Sequence, residues 1–193
     1  MTEPEEETVQ NFWISIFKNW NASFSIYTIY KNDSIIFDKT FSRDKSIVIL
    51  DGYIQLLQIF TNQEIVCKKL LGKQEIIPYY FFTDSDTTFY YKANALTKTV
   101  VAILCSKKIK IDTPYYFTST YNEYSMISIL CHRSTQKRMV QFILILSYKF
   151  GYFHKNIITI PFDITHQDIS NIVGSQRVNV TRIMNQLKEK KNY

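Results

Sequence analysis

Short runs of alternating or continuous apolar residues dominate the first half of the chain. The runs are rich in β-branched and aromatic side chains, which is typical of strands. Several such runs at close spacing favour an antiparallel sandwich or roll over a parallel sheet. The predicted strands lie in the runs FSIYTIY, SIIFDKTF, SIVIL, YIQLLQIF, EIVCKKLL, TTFYYKANAL and TVVAIL.

Dipeptides that favour tight turns separate some of these runs. Asp51-Gly52 lies between SIVIL and YIQLLQIF and predicts a two-residue hairpin, because such a turn needs residues that tolerate positive φ angles. Asn62-Gln63 and Thr97-Lys98 are candidates for turns of a similar kind. Before the strands, the sequence predicts an acidic tail and a short amphipathic piece around Phe12, Ile16, Phe17 and Trp20.

The apolar spacing becomes helical after residue 113. Residues 114–133 are apolar over more than one helical stripe, which predicts a helix covered by the β domain on one side and by a partner on the other. A wholly internal helix is the alternative. A second helix is predicted from about Thr135 to Phe150, stopping at Gly151, and the segment NIITIPFDI then predicts a short strand pair. The apolar stripe of that second helix is Met139, Phe142, Ile143, Leu146 and Phe150.

A capped amphipathic helix is predicted to follow. Thr165 is a suitable N-cap, with the carboxylate of Asp168 near the positive end of the helix. Gly174 is suited to end the helix, because glycine adopts a left-handed conformation at little cost. The small side chain of Ser170 would let another helix cross closely. The buried face of the predicted helix is Ile169, Ile172 and Val173.

The next predicted helix begins near Ser175 and has an apolar back and a polar front. Its buried stripe is Val180, Ile183, Met184 and Leu187. Its opposite side would present Arg177, Val178, Thr181, Arg182 and Asn185. Arginine is the side chain that most often hydrogen-bonds guanine in the major groove, and an exposed valine can contact a thymine methyl. The pair of helices is therefore typical of a helix-turn-helix that binds DNA.

An amphipathic helical hairpin in an ordinary core is the alternative interpretation of this spacing, and the charge distribution favours DNA binding. Four of the five arginines lie after residue 130. Residues 164–193 carry five basic side chains against two acidic ones, a net charge of +3. Phosphates attract such charge, whereas a protein interior does not need it. The whole chain has a net charge of +6, opposed by an acidic tip at Glu3, Glu5, Glu6 and Glu7.

Composition narrows the class of protein further. The 193 residues are 46% apolar and 16% aromatic, so one large or two small domains can form a real core. Cys67, Cys105 and Cys131 lack C-x-x-C spacing, and we expect reduced, buried thiols without a disulfide or metal site. The three histidines have no partners at catalytic spacing and no glycine-rich phosphate loop is present, so we predict no enzyme and no catalytic residues. We expect no membrane partner, since no apolar run reaches the length of a membrane span, and no targeting peptide.

The order of these predicted elements resembles a known family. The segment CHRSTQKRMVQFILILSYKFG, followed by ITIPFDITHQDISNIVGSQRVNVTRIMNQLKEKK, is similar to the CRP/FNR superfamily of transcription regulators. It is particularly similar to the NtcA-like global nitrogen regulators of cyanobacteria and their plastid-encoded relatives. The match is specific from about Ile129 to Lys191, and weaker across residues 35–115, where ILDGYIQL and TTFYYKANAL carry it.

The resemblance implies an α+β fold with three parts. Residues 1–113 would form an antiparallel, cyclic-nucleotide-binding-like β-roll with an acidic N-terminal tail, and residues 114–134 would form a long dimerisation helix. Residues 135–193 would form a winged-helix-type helix-turn-helix domain. The family continues past the recognition helix into a β-wing, whereas this sequence ends at Tyr193. We therefore expect the wing to be missing or truncated, with weaker DNA binding or greater reliance on the dimer.

The resemblance also implies a function and a set of contacts. A homodimer would place two recognition helices in successive major grooves of palindromic double-stranded DNA, and would control transcription by recruiting or blocking RNA polymerase. The half-site, GTA, would be contacted through Arg177, Val178 and Arg182, and valine at 178, where other members carry glutamate, indicates nitrogen-regulator specificity. Residues placed near phosphates or at the edge of the site are Ser175, Gln176 and Asn179. The helix-turn-helix framework would consist of Thr165, Ile169, Ser170, Val173, Gly174, Val180 and Ile183.

Two places differ from the family in a way that affects ligand binding. The family effector, 2-oxoglutarate, is held partly by arginines, and the aligned positions here hold Thr88 and Ser119, which cannot neutralise a dicarboxylate. The backbone turn that helps cradle the ligand is replaced by IPYYFF, residues 77–82. We therefore predict no cofactor, and no binding of 2-oxoglutarate in the manner of the family.

The remaining alternatives concern activity and location. A chain with these departures could instead be an effector-sensing or protein-interaction module whose DNA binding has degenerated. Isoleucine, lysine, asparagine, tyrosine and phenylalanine are abundant, while alanine and glycine number only four each, which is typical of an AT-rich genome. This composition favours an organelle-encoded protein of the plastid (chloroplast) stroma, with the bacterial cytoplasm as the alternative.

Overall fold

A β-sandwich is followed along the chain by helical segments, a two-stranded ribbon and a final pair of helices. The computed structural model describes residues 13–18, 23–37, 45–78, 88–105, 126 and 128–189. Residues 13–18, 126 and 128–130 are helical. The strands are β1 (Phe24–Ile29), β2 (Ser34–Phe37), β3 (Lys45–Asp51), β4 (Ile54–Phe60), β5 (Ile65–Leu71), β6 (Ile76–Ile77), β7 (Phe89–Ala95), β8 (Thr99–Cys105), β9 (Tyr152–His154) and β10 (Ile157–Thr159). The longer helices are α1 (Thr135–Phe150), α2 (His166–Val173) and α3 (Arg177–Glu189).

Strands β1 to β8 form two antiparallel sheets with the topology of a jelly roll. The first sheet has the order β1-β8-β3-β6 and the second the order β2-β7-β4-β5. Each of the seven predicted apolar runs overlaps one of these strands. The antiparallel sandwich or roll that the sequence predicts is therefore confirmed, and β6, which is only two residues long, is the strand that the pattern missed.

Two of the three predicted hairpins are wrong. Asp51-Gly52 connects β3 to β4, and Thr97-Lys98 connects β7 to β8, but in each case the two strands belong to different sheets. The turn at Asn62-Gln63 does connect a hydrogen-bonded pair, β4 and β5, and Gln63 has a φ of 67°. A turn dipeptide reverses the chain without determining whether the next strand pairs with the one before it.

The two sheet-crossing turns lie against each other. The backbone N–H of Leu96 donates to the carbonyl of Tyr53, and the hydroxyl oxygen of Thr99 lies 3.3 Å from the same carbonyl oxygen. Gly52 has a φ of +85°, and a Cβ at this position would come 2.5 Å from Oγ1 of Thr99. Glycine is therefore required here by close approach of a neighbouring corner as well as by the backbone angle.

Each sheet is buried on its inner face and is covered over part of its outer face. The interior between the sheets is filled by residues such as Ile49, Leu56 and Val101. The outer face of the first sheet is covered by residues 13–18, whose Trp13 and Phe17 are fully buried. Phe17 belongs to the amphipathic piece that the sequence predicts, whereas Phe12 and Trp20 lie outside the described residues.

The outer face of the second sheet is covered by the C-terminal helices. One continuous apolar cluster joins Leu57, Cys67 and Leu70 of the sheet to residues of α1, α2 and α3. An aromatic group extends this contact, since Tyr53 lies 5.5 Å from Phe150 and 4.8 Å from Phe162 between ring centroids. The core thus runs without interruption from the β-sandwich into the helices.

A buried ion pair crosses the same contact. Nζ of Lys149, in the last turn of α1, lies 2.9 Å from Oε2 of Glu75 and donates to the carbonyl of Leu70. Both side chains are mostly buried, at 18% and 13% exposed. Burial lowers the pKa of Lys149, and the carboxylate of Glu75 opposes this shift. Glu75 also accepts from the backbone N–H of Gly72, which holds its carboxylate in place.

The structure refines several other predictions. Helix α1 spans Thr135–Phe150 and is followed by Gly151, as predicted, with Met139, Phe142 and Leu146 buried. The predicted strand pair forms between β9 and β10, so only its second strand falls within the segment NIITIPFDI. Most of the predicted helix 114–134 lies outside the described residues, and its described part leaves the helical conformation after Leu130.

The prediction of three buried thiols is wrong for two of them. Cys67 is buried, whereas Cys105 and Cys131 are exposed, and none of the three forms a disulfide. Burial raises the pKa of the Cys67 thiol to about 12. Cys105 is the last residue of β8, and Cys131 follows a helical turn, so both lie where an element ends rather than beneath another layer.

Removing one member of the buried ion pair should destabilise the fold more than removing both. We expect Lys149→Met to lower the free energy of unfolding by about 3–5 kcal/mol, because the mostly buried carboxylate of Glu75 then loses the positive charge of Lys149 beside it. Adding Glu75→Gln should recover a large part of this loss. Urea denaturation measures both values, and Lys31→Met, which removes the exposed pair with Asp163, serves as a control with little expected effect. Equal losses in the single and double variants would contradict this account.

The three thiols should differ sharply in reactivity. We expect an alkylating reagent at neutral pH to modify Cys105 and Cys131 rapidly in the folded protein. Cys67 should be protected until the protein unfolds, because it is buried and its raised pKa keeps it as a thiol. Mass spectrometry of protein labelled with and without urea counts the modified sites. Cys67→Ser provides the control, since it should remove only the slow site. Rapid labelling of all three thiols would show that the helices separate readily from the second sheet.

Candidate nucleic-acid interface

Helix α2 begins with a capping box. The hydroxyl of Thr165 accepts from the backbone N–H of Asp168 at 3.1 Å, and the carboxylate of Asp168 accepts from the backbone N–H of Thr165 at 3.2 Å. Two of the N–H groups that a helix start leaves unpaired are thereby satisfied. The N-cap that the sequence predicts is confirmed, and with it the start of the first helix of the pair.

The turn between α2 and α3 depends on Gly174 and Ser170. Gly174 has φ 59° and ψ 56°, the left-handed conformation that glycine adopts at little cost. The backbone N–H groups of Gly174 and Ser175 both donate to the carbonyl of Ser170. Ser170 is 2% exposed, and its hydroxyl donates to the carbonyl of Gln167 at 2.7 Å. A small, internally bonded side chain at this position allows the close crossing that the sequence predicts.

The back of α3 is anchored in the core. Val180 and Ile183 are buried in the cluster that includes Ile169 and Val173 of α2. Met184 and Leu187 pack against the same cluster while remaining partly exposed. The predicted apolar stripe is therefore present, and it fixes which side of α3 points away from the protein.

The front of α3 consists of exposed side chains. Arg177, Val178 and Arg182 are exposed, and Val178 is exposed by 75%. Val178 and Arg182 are four residues apart and therefore share one face of the helix. Within the described parts of the chain, neither guanidinium group takes part in an ion pair. Two uncommitted cations and a solvent-exposed valine thus stand on one helix whose opposite side is buried.

Three further residues lie at the start of α3, beside its exposed front. Gln176 and Asn179 are exposed, and Ser175 is half-buried in the turn. The carbonyl of Gln176 accepts from the backbone N–H of Val180, so the hydrogen bonding of α3 begins at Gln176. The N–H groups at this end, together with the positive end of the helix dipole, favour an anion such as phosphate. The 13 residues of α3 span about 20 Å, which is long enough to lie across a major groove.

Thr181 occupies a different environment from the other predicted contacts. It is half-buried, and its hydroxyl donates to the carbonyl of Arg177 at 3.1 Å. Nδ1 of His166, the first residue of α2, lies 2.9 Å from the same hydroxyl oxygen. No sequence pattern indicated this contact, because a spacing of 15 residues carries no periodic signal.

Arg138 is a second residue whose role the sequence did not reveal. Its side chain leaves α1 towards the turn, where a Cβ added to Gly174 would lie 3.6 Å from Nη1. Nη2 of Arg138 donates to the hydroxyl of Thr135 at 3.3 Å. A cation beside the end of α2 is favoured by the helix dipole. Arg138 therefore supports the turn from within the protein and is only partly exposed.

The remaining predicted features concern ligands. In the described portion of the chain, no group of histidine, cysteine or acidic residues is arranged to hold a metal ion. Thr88 is exposed in the turn before β7, whereas Ser119 and residues 79–82 lie outside the described residues. None of the helices that the structure describes has both the length and the apolar character to cross a membrane.

The sequence is similar to known transcription regulators. Residues 137–191 match the family profile described as a Crp-like helix-turn-helix domain. The HTH-type transcriptional regulator ycf28 of Porphyra purpurea is 29% identical over 92% of this chain and 77% of its own length. The global nitrogen regulator of Synechococcus elongatus is 29% identical over 75% of this chain and 70% of its own length.

The fold is also similar to that of a solved structure. A CRP-family transcriptional regulator of Thermus thermophilus superposes with a TM-score of 0.66 at 13% identity, covering 86% of this chain and 85% of that one. These relatives are regulators and not enzymes, in agreement with the prediction from sequence. Residues 137–191 thus match a Crp-like helix-turn-helix domain, and most of the chain is similar in sequence to transcription regulators that include a global nitrogen regulator.

Proposed function

We propose that the protein binds double-stranded DNA as a homodimer, with one α3 helix in each of two successive major grooves of a palindromic GTA…TAC-like site. The exposed group of Arg177, Val178 and Arg182 on a helix with a buried back carries this proposal. A helix of this kind presents base-contacting side chains to the groove, while its buried side fixes its orientation relative to the rest of the protein.

The roles of the three side chains follow from their chemistry. Each guanidinium group can donate two hydrogen bonds to O6 and N7 of guanine, and the methyl groups of Val178 can contact the methyl group of thymine. The buried Val180 and Ile183 keep these side chains pointing outward. Ser175, Gln176 and Asn179 would lie at phosphates or at the edge of the site, because they flank the positive end of α3.

Dimerisation is proposed through residues 114–134. Their apolar pattern covers more than one helical stripe, which favours contact with a second copy. A twofold axis would place two α3 helices one helical turn of DNA apart, at about 34 Å. The palindromic site would then mirror the symmetry of the protein.

The regulatory outcome is proposed to be the control of nitrogen-related genes through contact with RNA polymerase. The similarity to global nitrogen regulators supports this assignment. Similarity to ycf28 of Porphyra purpurea, together with the bias towards residues with AT-rich codons, supports a plastid-encoded protein of the chloroplast stroma.

The β-roll is proposed to lack the effector site of the family. Thr88 is an uncharged, exposed side chain at the position of an expected arginine, and it cannot neutralise a dicarboxylate such as 2-oxoglutarate. The fold of the roll would thus be retained as the platform on which the helices pack, without the ligand chemistry.

Removing an exposed arginine of α3 should weaken DNA binding and relax the choice of base. We expect Arg177→Ala or Arg182→Ala to cost about 1–3 kcal/mol per half-site, because each removes a bidentate contact with a base. Fluorescence anisotropy with a palindromic GTA…TAC duplex and with base-substituted duplexes measures both effects. Lys98→Ala is the control, since this exposed cation lies in the turn between β7 and β8, away from the helix pair and from residues 114–134. Equal losses for all three variants would instead indicate non-specific attraction to phosphates.

Selection from a random pool of duplexes should recover a symmetric site without any effector. We expect two GTA-like half-sites one helical turn apart, and the same result with 2-oxoglutarate present. Binding should weaken steeply with salt, because each phosphate contact releases a counterion. Binding that is indifferent to duplex sequence would favour the alternative of an effector-sensing or protein-interaction module with degenerate DNA binding. Dependence on 2-oxoglutarate would contradict the proposed loss of the effector site.

A further inference from the structure

A short chain of hydrogen bonds joins the two helices of the helix-turn-helix. Nδ1 of His166, at the start of α2, lies 2.9 Å from Oγ1 of Thr181 on α3. Oγ1 of Thr181 also lies 3.1 Å from the carbonyl oxygen of Arg177, one turn earlier on α3. Both side chains are half-buried, so this chain of contacts is partly shielded from water.

The direction of each hydrogen bond follows from counting hydrogens. A carbonyl oxygen only accepts, so the single hydroxyl hydrogen of Thr181 is donated to Arg177. In the arrangement that keeps both contacts as hydrogen bonds, the hydroxyl accepts from His166, and Nδ1 of His166 carries a hydrogen. A neutral imidazole has one ring hydrogen, which leaves Nε2 of the neutral ring without one. The contact thus fixes both the orientation of the hydroxyl and the tautomer of the ring.

The consequence for DNA binding lies in what the hydroxyl can no longer do. With its hydrogen committed inside the protein, Thr181 cannot donate to a phosphate oxygen or to O6 and N7 of guanine. Its remaining capacity is to accept a hydrogen bond. The donors that the major groove offers are the exocyclic amino groups of adenine and cytosine. Thr181 lies next to Arg182 and one turn after Arg177, beside the proposed base contacts.

We propose that His166 is a positioning residue for base selection: its Nδ1–H holds the hydroxyl of Thr181 as a hydrogen-bond acceptor and so biases α3 towards an adenine or cytosine at one base pair of each half-site. The proposal rests on the proposed DNA-binding function. It adds a residue of α2 to the set that determines specificity, although that residue need not touch a base itself.

The hydrogen-bond part can be tested without DNA. Long-range proton–nitrogen correlation spectra of ¹⁵N-histidine-labelled protein distinguish the two neutral tautomers, and His166→Asn identifies the signal by its disappearance. We expect His166 to be the Nδ1–H tautomer in the neutral state. An Nε2–H tautomer would overturn the proposal, because the ring could not then donate to Thr181.

The specificity part uses a graded set of variants. His166→Ala and Thr181→Val should both relax base preference at the same base pair, by about five- to tenfold per half-site, and the double variant should lose no more than either one. His166→Asn should keep the preference, because an asparagine amide can place an N–H near the position of Nδ1. A purely structural role for the ring would instead predict that His166→Asn and His166→Ala lower affinity equally for all duplexes.

The outcomes separate this proposal from the function on which it rests. Duplex binding with an unchanged base preference in Thr181→Val overturns the role of His166 in specificity while leaving the proposed function intact. Failure of the wild-type protein to bind any duplex overturns the proposed function and the specificity role together. The NMR measurement of the tautomer still tests, without DNA, whether His166 donates to Thr181. Thermal unfolding of each variant shows that it is folded, and Thr181→Val, which keeps the shape of the side chain, covers the case in which His166→Ala does not fold.

Discussion

The packing of the C-terminal helices on the outer face of the second β-sheet is the contact on which the rest of the structure depends. It joins Leu57 and Leu70 of the sheet to the helices in one apolar cluster, and the aromatic contacts of Tyr53 extend it. Protein interiors are close-packed, so helices anchored in a shared core cannot rotate freely against the sheet. The direction of α3 is therefore set by the β-sandwich as well as by its own helix pair.

The ion pair inside this contact restricts how the apolar surfaces of the helices and the sheet can pack. Apolar burial is tolerant of small shifts, whereas Lys149 satisfies both Glu75 and the carbonyl of Leu70 only in one arrangement. Burial disfavours the charged form of the lysine and lowers its pKa, and the nearby carboxylate partly offsets this effect. A buried pair of this kind contributes little net stability but makes misaligned packing costly. Helix α1 is thereby held at its last turn, from which the ribbon and the helix pair continue.

Some residues of the helix pair anchor it in the core, and others are exposed on its surface. Val180 and Ile183 are buried, while Arg177, Val178 and Arg182 are exposed on the same helix. The left-handed Gly174 and the buried Ser170 set the crossing of α2 and α3, and the contact between His166 and Thr181 links the two helices near their starts. Val178, at 75% exposed, leaves its methyl groups at the surface of a helix whose back is buried.

The sequence by itself determined the features that repeat over short distances. Strand runs, the bounds of α1, the capping box at Thr165 and the two faces of α3 all follow from apolar periods and from local turn and cap chemistry. Pairing of strands did not follow, because Asp51-Gly52 and Thr97-Lys98 reverse the chain equally well within one sheet or between two. The exposure of Cys105 and Cys131, the burial of Lys149 beside Glu75 and the contact of His166 with Thr181 also required the tertiary structure. Each depends on residues distant in sequence that meet only when the layers pack, and a local pattern records a residue's period but not its partner.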